Sequence, residues 1–174
     1  MPQHMTIISG GQSGVDRAAL DAAVARGLPY GGWGPRGGWA EDCPDPPGVR
    51  ARYPLLRETS SADPAQRTEG NVRDSDACLI LVAAGGAAVS QGTVLTGELA
   101  ARYAKPLLVA DLSAADAVET VAAWLVALLA AQALGTSFRL IVGGPRESEA
   151  PGIYGRAKEV LGRVFLSLVP NGES

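Results

Sequence analysis

Nine consecutive residues, Ser9-Gly10-Gly11-Gln12-Ser13-Gly14-Val15-Asp16-Arg17, gather glycines, two hydroxyls, an amide and an acid–base pair. Glycines let backbone approach a ligand and leave its amides aimed outward, which suits phosphate or another oxyanion. The same run also reads as a tight turn with positive φ at one or two glycines, and Asp16 as a first-turn acid complementing a helix dipole. It lacks the Gly-Lys-Ser/Thr ending of a P-loop and the spacing of the dinucleotide fingerprint, so ATP hydrolysis is not indicated.

Two further runs carry similar chemistry. Gln91-Gly92-Thr93-Val94-Leu95-Thr96-Gly97-Glu98 sets two hydroxyls and a carboxylate at a helix start, where amides and hydroxyls grip anions; alternatively, Thr93 or Thr96 is the cap of a capping box. Glu98 is the carboxylate of interest if the chain is an enzyme. Gly143-Gly144-Pro145-Arg146 sets a cation, Arg146, beside a strand end, or is only a loop with helix capping. Arg67 and Asn71 are spaced i, i+4 and share a helix face, which is either turned to a ligand or merely solvated. Trp33, Arg36 and Trp39 lie in a glycine-rich loop. His4 is the sole histidine and precedes the fold, which argues against a histidine triad or a zinc site.

These turns need elements to hold them. Met5 to Ser9 reads as a short strand entering the first turn, and Asp16 to Arg26 as an alanine-rich helix closed by Gly27. Leu28 to Tyr30 begins a second strand. The loop at 31–48 is of a length that is usually functional or disordered. Ser60 to Asp74 reads as a polar helix opened by Ser or Asp caps, and Ala77 to Val82 as a fully buried strand. A second glycine loop precedes a helix over Thr96 to Tyr103, and Pro106 to Val109 is the next strand. Ala114 to Leu134 reads as a long helix whose apolar part, Val121 to Leu134, is buried and too short to span a membrane. Phe138 to Val142 is a strand, and Ile153 to Leu166 an amphipathic closing helix.

Alternating strands and helices predict an α/β, Rossmann-like three-layer fold with a mostly parallel sheet of about five or more strands. Ligands of such sheets bind beyond the carboxyl ends of the strands at a topological switch point, the edge on which all three glycine turns fall. One ligand-binding domain over 5–168 is expected, with disordered ends at 1–4 and 169–174.

Composition narrows the function. With 47% hydrophobic and 19% charged residues the chain can build one sizeable core. A net charge of −3 without any Lys/Arg-rich run disfavours a nucleic-acid partner. Cys43 and Cys78 have neither metal-ligand spacing nor an evident disulfide role, and no secretory signal opens the chain, so a cytoplasmic protein without a membrane partner is expected.

The run from Ser9 through Asp21, Gly31-Gly32-Trp33 with Ala40-Glu41-Asp42, Ala65 to Glu69, Asn71 to Ala77, Gly92-Thr93 with Leu95-Thr96, and Gly144 to Ser148 together resemble the molybdenum cofactor carrier family over residues 5 to about 165. The wider group it resembles includes nucleotide-binding proteins and the Lonely Guy phosphoribohydrolases. The resemblance implies a non-catalytic homo-oligomer that binds molybdenum cofactor, a pterin with a terminal phosphate, and shields it from oxidation. Hydrolases of the wider group pair a helix arginine with a glutamate in a Gly-Gly-x-Gly-Thr-x-x-Glu motif, places that Arg67 and Glu98 match by analogy. Here Gly85-Gly86 is separated from Gly92-Thr93, and Glu98 follows Thr93 at a longer spacing, which speaks against hydrolysis.

The expected site therefore holds phosphate on Gly11, Gln12, Ser13, Gly14 and Asp16 and on Gly92, Thr93 and Thr96. Arg36, Arg67 and Arg146 offset its charge, and Trp33 borders the ring. Gly10, Arg17, Asn71, Glu98, Gly143 and Gly144 complete the set. The alternative ligand is an AMP-like nucleotide, either hydrolysed with Arg67 orienting the ribose and Glu98 attacking or stabilising it, or sensed by a loop at 31–48 that orders on binding.

Overall fold

The computed structural model describes residues 5–168. The ends at 1–4 and 169–174, and with them His4, lie outside the described residues. The elements in chain order are β1 (Met5–Ile8), α1 (Val15–Ala25), β2 (Tyr30–Gly31), β3 (Trp33–Gly34), β4 (Arg57–Glu58), α2 (Pro64–Arg73), β5 (Ala77–Val82), α3 (Gln91–Arg102), β6 (Leu107–Asp111), α4 (Ala117–Ala130), β7 (Phe138–Gly143) and α5 (Ile153–Leu168).

Five strands form one parallel sheet in the order β2-β1-β7-β5-β6. The last strand of the chain thus lies at its centre, with Ile7 beside Leu140 on one side and Leu79 beside Val142 on the other. If β7 is counted first and the chain is followed through α5 into β1, the order becomes 3-2-1-4-5, that of a doubly wound sheet. The direction of winding then reverses between β7 and β5, which marks the switch point.

Helices cover both faces, so the central strands are mostly apolar, and every residue of β5 is both apolar and buried. On one face Met5, Ile7, Leu79, Leu81, Leu140 and Val142 pack under α1, α4 and α5. On the other, Ile8, Cys78 and Ile141 meet Val72 of α2 and Leu99 of α3. Burial pushes the Cys78 thiol up to about 11, so it behaves as a small hydrophobe.

Several boundaries differ from the sequence expectation. Helix α3 begins at Gln91 rather than Thr96, because the Ser90 hydroxyl caps it by accepting the Thr93 N–H at 3.2 Å. Neither Thr93 nor Thr96 is the cap, and Thr96 instead donates to the Gly92 carbonyl at 2.9 Å. Helix α2 starts at Pro64 with Asp63 as its cap. Helix α4 ends at Ala130 and buries only one stripe, Ala117, Val121 and Leu125; Val126 and Leu134 are 55% and 99% exposed, so the stretch to Leu134 is not a buried helix.

The segment at 31–48 is not a structureless loop. It contributes β3, which pairs in parallel with β4 as a separate two-stranded sheet. Ala40, Val49, Tyr53 and Leu56 form their own small core against Leu20 of α1. Val49 and Leu56 each contribute about 1.5–3 kcal/mol as an upper bound, which helps to fix this strap over the first turn.

Candidate ligand-binding site

The three glycine turns converge because β1, β7 and β5 are neighbours whose carboxyl ends face the same way. Gly14 sits at φ 74°, and a Cβ there would overlap the Pro145 carbonyl, to which Val15 N–H donates at 3.3 Å. The first and third turns therefore interlock through a position that requires glycine.

The first turn is organised by its own side chains. Ser9 Oγ donates to the Asp16 carbonyl at 2.9 Å and accepts from Gly11 N–H at 3.2 Å. Gln12 Oε1 accepts the N–H groups of Ser13 at 3.0 Å and Glu41 at 2.9 Å, tying the strap to the turn. Arg17 makes a two-pronged contact with Asp42, both bonds 2.9 Å, and donates to the Gly11 carbonyl at 3.3 Å. The Arg17 hydrogen bonds hold the Asp42 carboxyl below its ordinary value. Glu41 accepts from the hydroxyls of Ser13 and Ser148, and these bonds, with Arg146, lower its carboxyl despite the opposing effect of burial.

Behind this framework lies a cavity of about 530 Å³, within the usual range for small-molecule sites. Gly10, Gln12 and Asp16 form one wall, and Ile141 to Gly144 with Arg146 and Glu149 the floor, at the carboxyl end of β7 and in the turn after it. The start of α3, from Ser90 to Thr93 and on to Thr96, forms the opposite wall, and Pro64, Arg67, Thr68 and Asn71 of α2 close a side. Trp39 stands at the rim.

Arg67 Nη1 donates to the Gly10 carbonyl at 3.0 Å and lies 3.5 Å from Asp16 Oδ2, while its Nε is buried without a partner among the described residues. Thr93 Oγ1 is likewise buried and unpartnered. Unsatisfied buried polar atoms are costly and rare, so Arg67 Nε on the α2 side and Thr93 Oγ1 on the α3 wall are candidates for pairing with a ligand. The first amides of α3 add the positive end of a helix to the same wall. Burial raises the Asp16 carboxyl above its ordinary value, against the pull of Arg67 and the Gln12 N–H.

Of the residues expected from sequence, Gly10, Gln12, Asp16, Arg67, Asn71, Gly92, Thr93, Thr96, Gly143, Gly144 and Arg146 line the cavity. Gly11, Ser13, Gly14 and Arg17 stand behind it and hold the turn. Trp33 does not border the cavity: Gly70 packs on one part of its ring, Arg57 lies 4.2 Å from its centre, and its Nε1–H donates to Asp74 at 2.9 Å. Arg36 is exposed and outside the lining. Glu98 is exposed on α3, roughly 200° around the helix from Thr96, and also lies outside the lining. Arg146 faces the cavity already matched by Glu149 at 3.3 Å and Glu41 at 3.7 Å. Ser90, Gln91, Thr68 and Glu149 were missed; a serine three residues before Thr93 was the readable sign of an earlier helix start.

The circularly permutated YpsA SLOG family matches the chain over residues 7–165, nearly all of the described residues. The chain belongs to this family. Permutation is what the sheet displays, since β7, last in the chain, occupies the place of a first strand. Among solved structures, this family member is similar to the "Putative molybdenum carrier protein" from Syntrophus aciditrophicus SB, with 38% identity, 95% of this chain and 96% of that chain covered, and a TM-score of 0.78. No curated protein matches the chain. Among the described residues of this SLOG protein, no helix is long and apolar enough to cross a membrane.

Proposed function

We propose that this chain is a molybdenum cofactor carrier that binds the phosphate-bearing pterin in the cavity at the switch point. The observation that carries the reading is the α3 wall, where unpartnered Thr93 Oγ1 and the first-turn amides of Gln91 and Gly92, which the Ser90 cap does not take, meet the cavity that Arg67 enters from α2. That combination fits a phosphate monoester. A ring then extends toward Trp39, the exposed aromatic at the rim. Among the described residues no group of three or more His, Cys, Asp or Glu is placed to hold a metal ion. Recognition in this reading therefore falls on the organic part of the ligand, which brings its own metal. The name of the similar Syntrophus protein agrees with it. Hydrolysis of a nucleotide is not favoured, because Glu98 stands outside the cavity.

An anaerobic thermal-shift titration with molybdenum cofactor beside AMP tests the proposal, since a ligand of the folded state raises the melting temperature. Stabilisation by the cofactor with none by AMP is expected. Stabilisation by AMP alone would overturn the carrier reading.

A further inference from the structure

Asp16 places a nearly buried carboxylate, its side chain 14% exposed, in the lining of this anion site. Its Oδ2 accepts the Gln12 N–H at 3.3 Å and faces Arg67 Nη1 at 3.5 Å, which fixes the plane of the group. Oδ1 takes no hydrogen bond from the described residues and stands at the carboxyl end of β7, where a Cβ on Gly143 would come within 3.6 Å of it. Of the two lining arginines, Arg67 is matched through Asp16 Oδ2 and Arg146 by Glu149, so Oδ1 is the acceptor of Asp16 that these ion pairs leave over.

A carboxylate repels phosphate and accepts hydrogen bonds without donating any. The phosphate therefore belongs at the α3 wall, after β5, and the ring at the Asp16 wall, after β1. These walls are separated by β7, two strand spacings or about 10 Å. Trp39 is on the ring side, because Glu41, two residues on, is bonded to Gln12.

Resting on the reading of the cavity as a ring-phosphate site, we propose that Asp16 selects the ring by accepting the adjacent N–H donors of a 2-amino-4-oxo heterocycle, the edge that pterins and guanine share. Adenine sets a lone pair beside its amino group and would turn that lone pair toward the carboxylate. Inosine's base keeps the ring N–H and lacks the amino group. A site built to bond two donors discriminates strongly against a ring that lacks one.

Calorimetric titration of the intact chain with GMP, IMP and AMP tests this without any variant. GMP should bind at least about tenfold more tightly than IMP, and AMP more weakly still. In Asp16→Asn, which presents a donor in place of one acceptor, the preference for GMP over IMP should fall to within about threefold. Equal binding of GMP and IMP, a preference for AMP, or no binding of all three overturns the proposal, as does an unchanged ratio in a folded Asp16→Asn protein. If that variant fails to fold, the wild-type series decides alone. Cofactor binding without a GMP preference leaves the carrier reading standing and removes Asp16 from it; a GMP preference without cofactor binding does the reverse.

Discussion

Asn71 clasps the backbone of Trp33: its Oδ1 accepts the Trp33 N–H at 2.7 Å and its Nδ2 donates to the Trp33 carbonyl at 3.0 Å. A side chain of α2 thus takes the place of a neighbouring strand for β3. The clasp also explains why Trp33 serves the fold rather than the cavity.

Asn71→Ala should cost about 1–3 kcal/mol, because both partly buried backbone groups of Trp33 lose their partner. Urea denaturation measures it. A loss below about 0.5 kcal/mol would mean that β3 does not depend on the clasp.

Acid should loosen the same corner. The Arg73 hydrogen bonds, aided by the Trp33 indole and opposed by burial, hold Asp74 down at about 2, below its ordinary 3.8. The folded state therefore favours the carboxylate, and the stabilisation is fully present above about pH 4 and lost as pH falls toward about 2. Asp74→Asn should be less stable than wild type at neutral pH, with the difference shrinking across that window. Unfolding curves of both proteins at several acidic pH values check this; a constant difference would assign the effect to something other than the charge.

The sheet was legible in the sequence because parallel strands buried on both faces are continuous apolar runs, as in Ala77 to Val82. Its strand order was not, since nothing local in Phe138 to Gly143 says that the last strand enters the middle. The site was legible where glycine, hydroxyl and arginine cluster within a few residues, as from Gly10 to Asp16. It was misread where two elements compete for one residue type. Trp33 and Trp39 occur in the same glycine-rich loop, and only the tertiary clasp on Trp33 and the Glu41 tether beside Trp39 tell them apart. Glu98 was matched by motif, but the helix that begins at Gln91 already includes it, and its place two residues past Thr96 turns its side chain away from the cavity.

Two glycines separate backbone preference from contact. Gly27 has φ 66° and nothing within 4 Å of an added Cβ, whereas Gly14 has φ 74° and would drive its Cβ into the backbone of Pro145 and Arg146. Gly27→Ala should cost about 1–2 kcal/mol, the left-handed preference alone. Gly14→Ala should cost at least about 2 kcal/mol more, because the interlocked first and third turns must part. Thermal unfolding of the pair decides it; equal losses would show that the two turns yield easily.

Thr93 separates stability from ligand binding. Its hydroxyl is buried without a partner, so Thr93→Val keeps the shape and removes an unsatisfied polar atom. The variant should be as stable as wild type or more so, by up to about 1 kcal/mol. If the α3 wall is where phosphate binds, the same change should weaken the ring-phosphate ligand about tenfold or more, as one lost hydrogen bond to a charged group would. Glu98→Gln, exposed on the far side of the helix, should leave binding unchanged. Parallel melts with and without ligand measure both quantities. A Thr93→Val protein that loses stability and keeps its affinity would make the hydroxyl a structural group and move the phosphate elsewhere in the cavity.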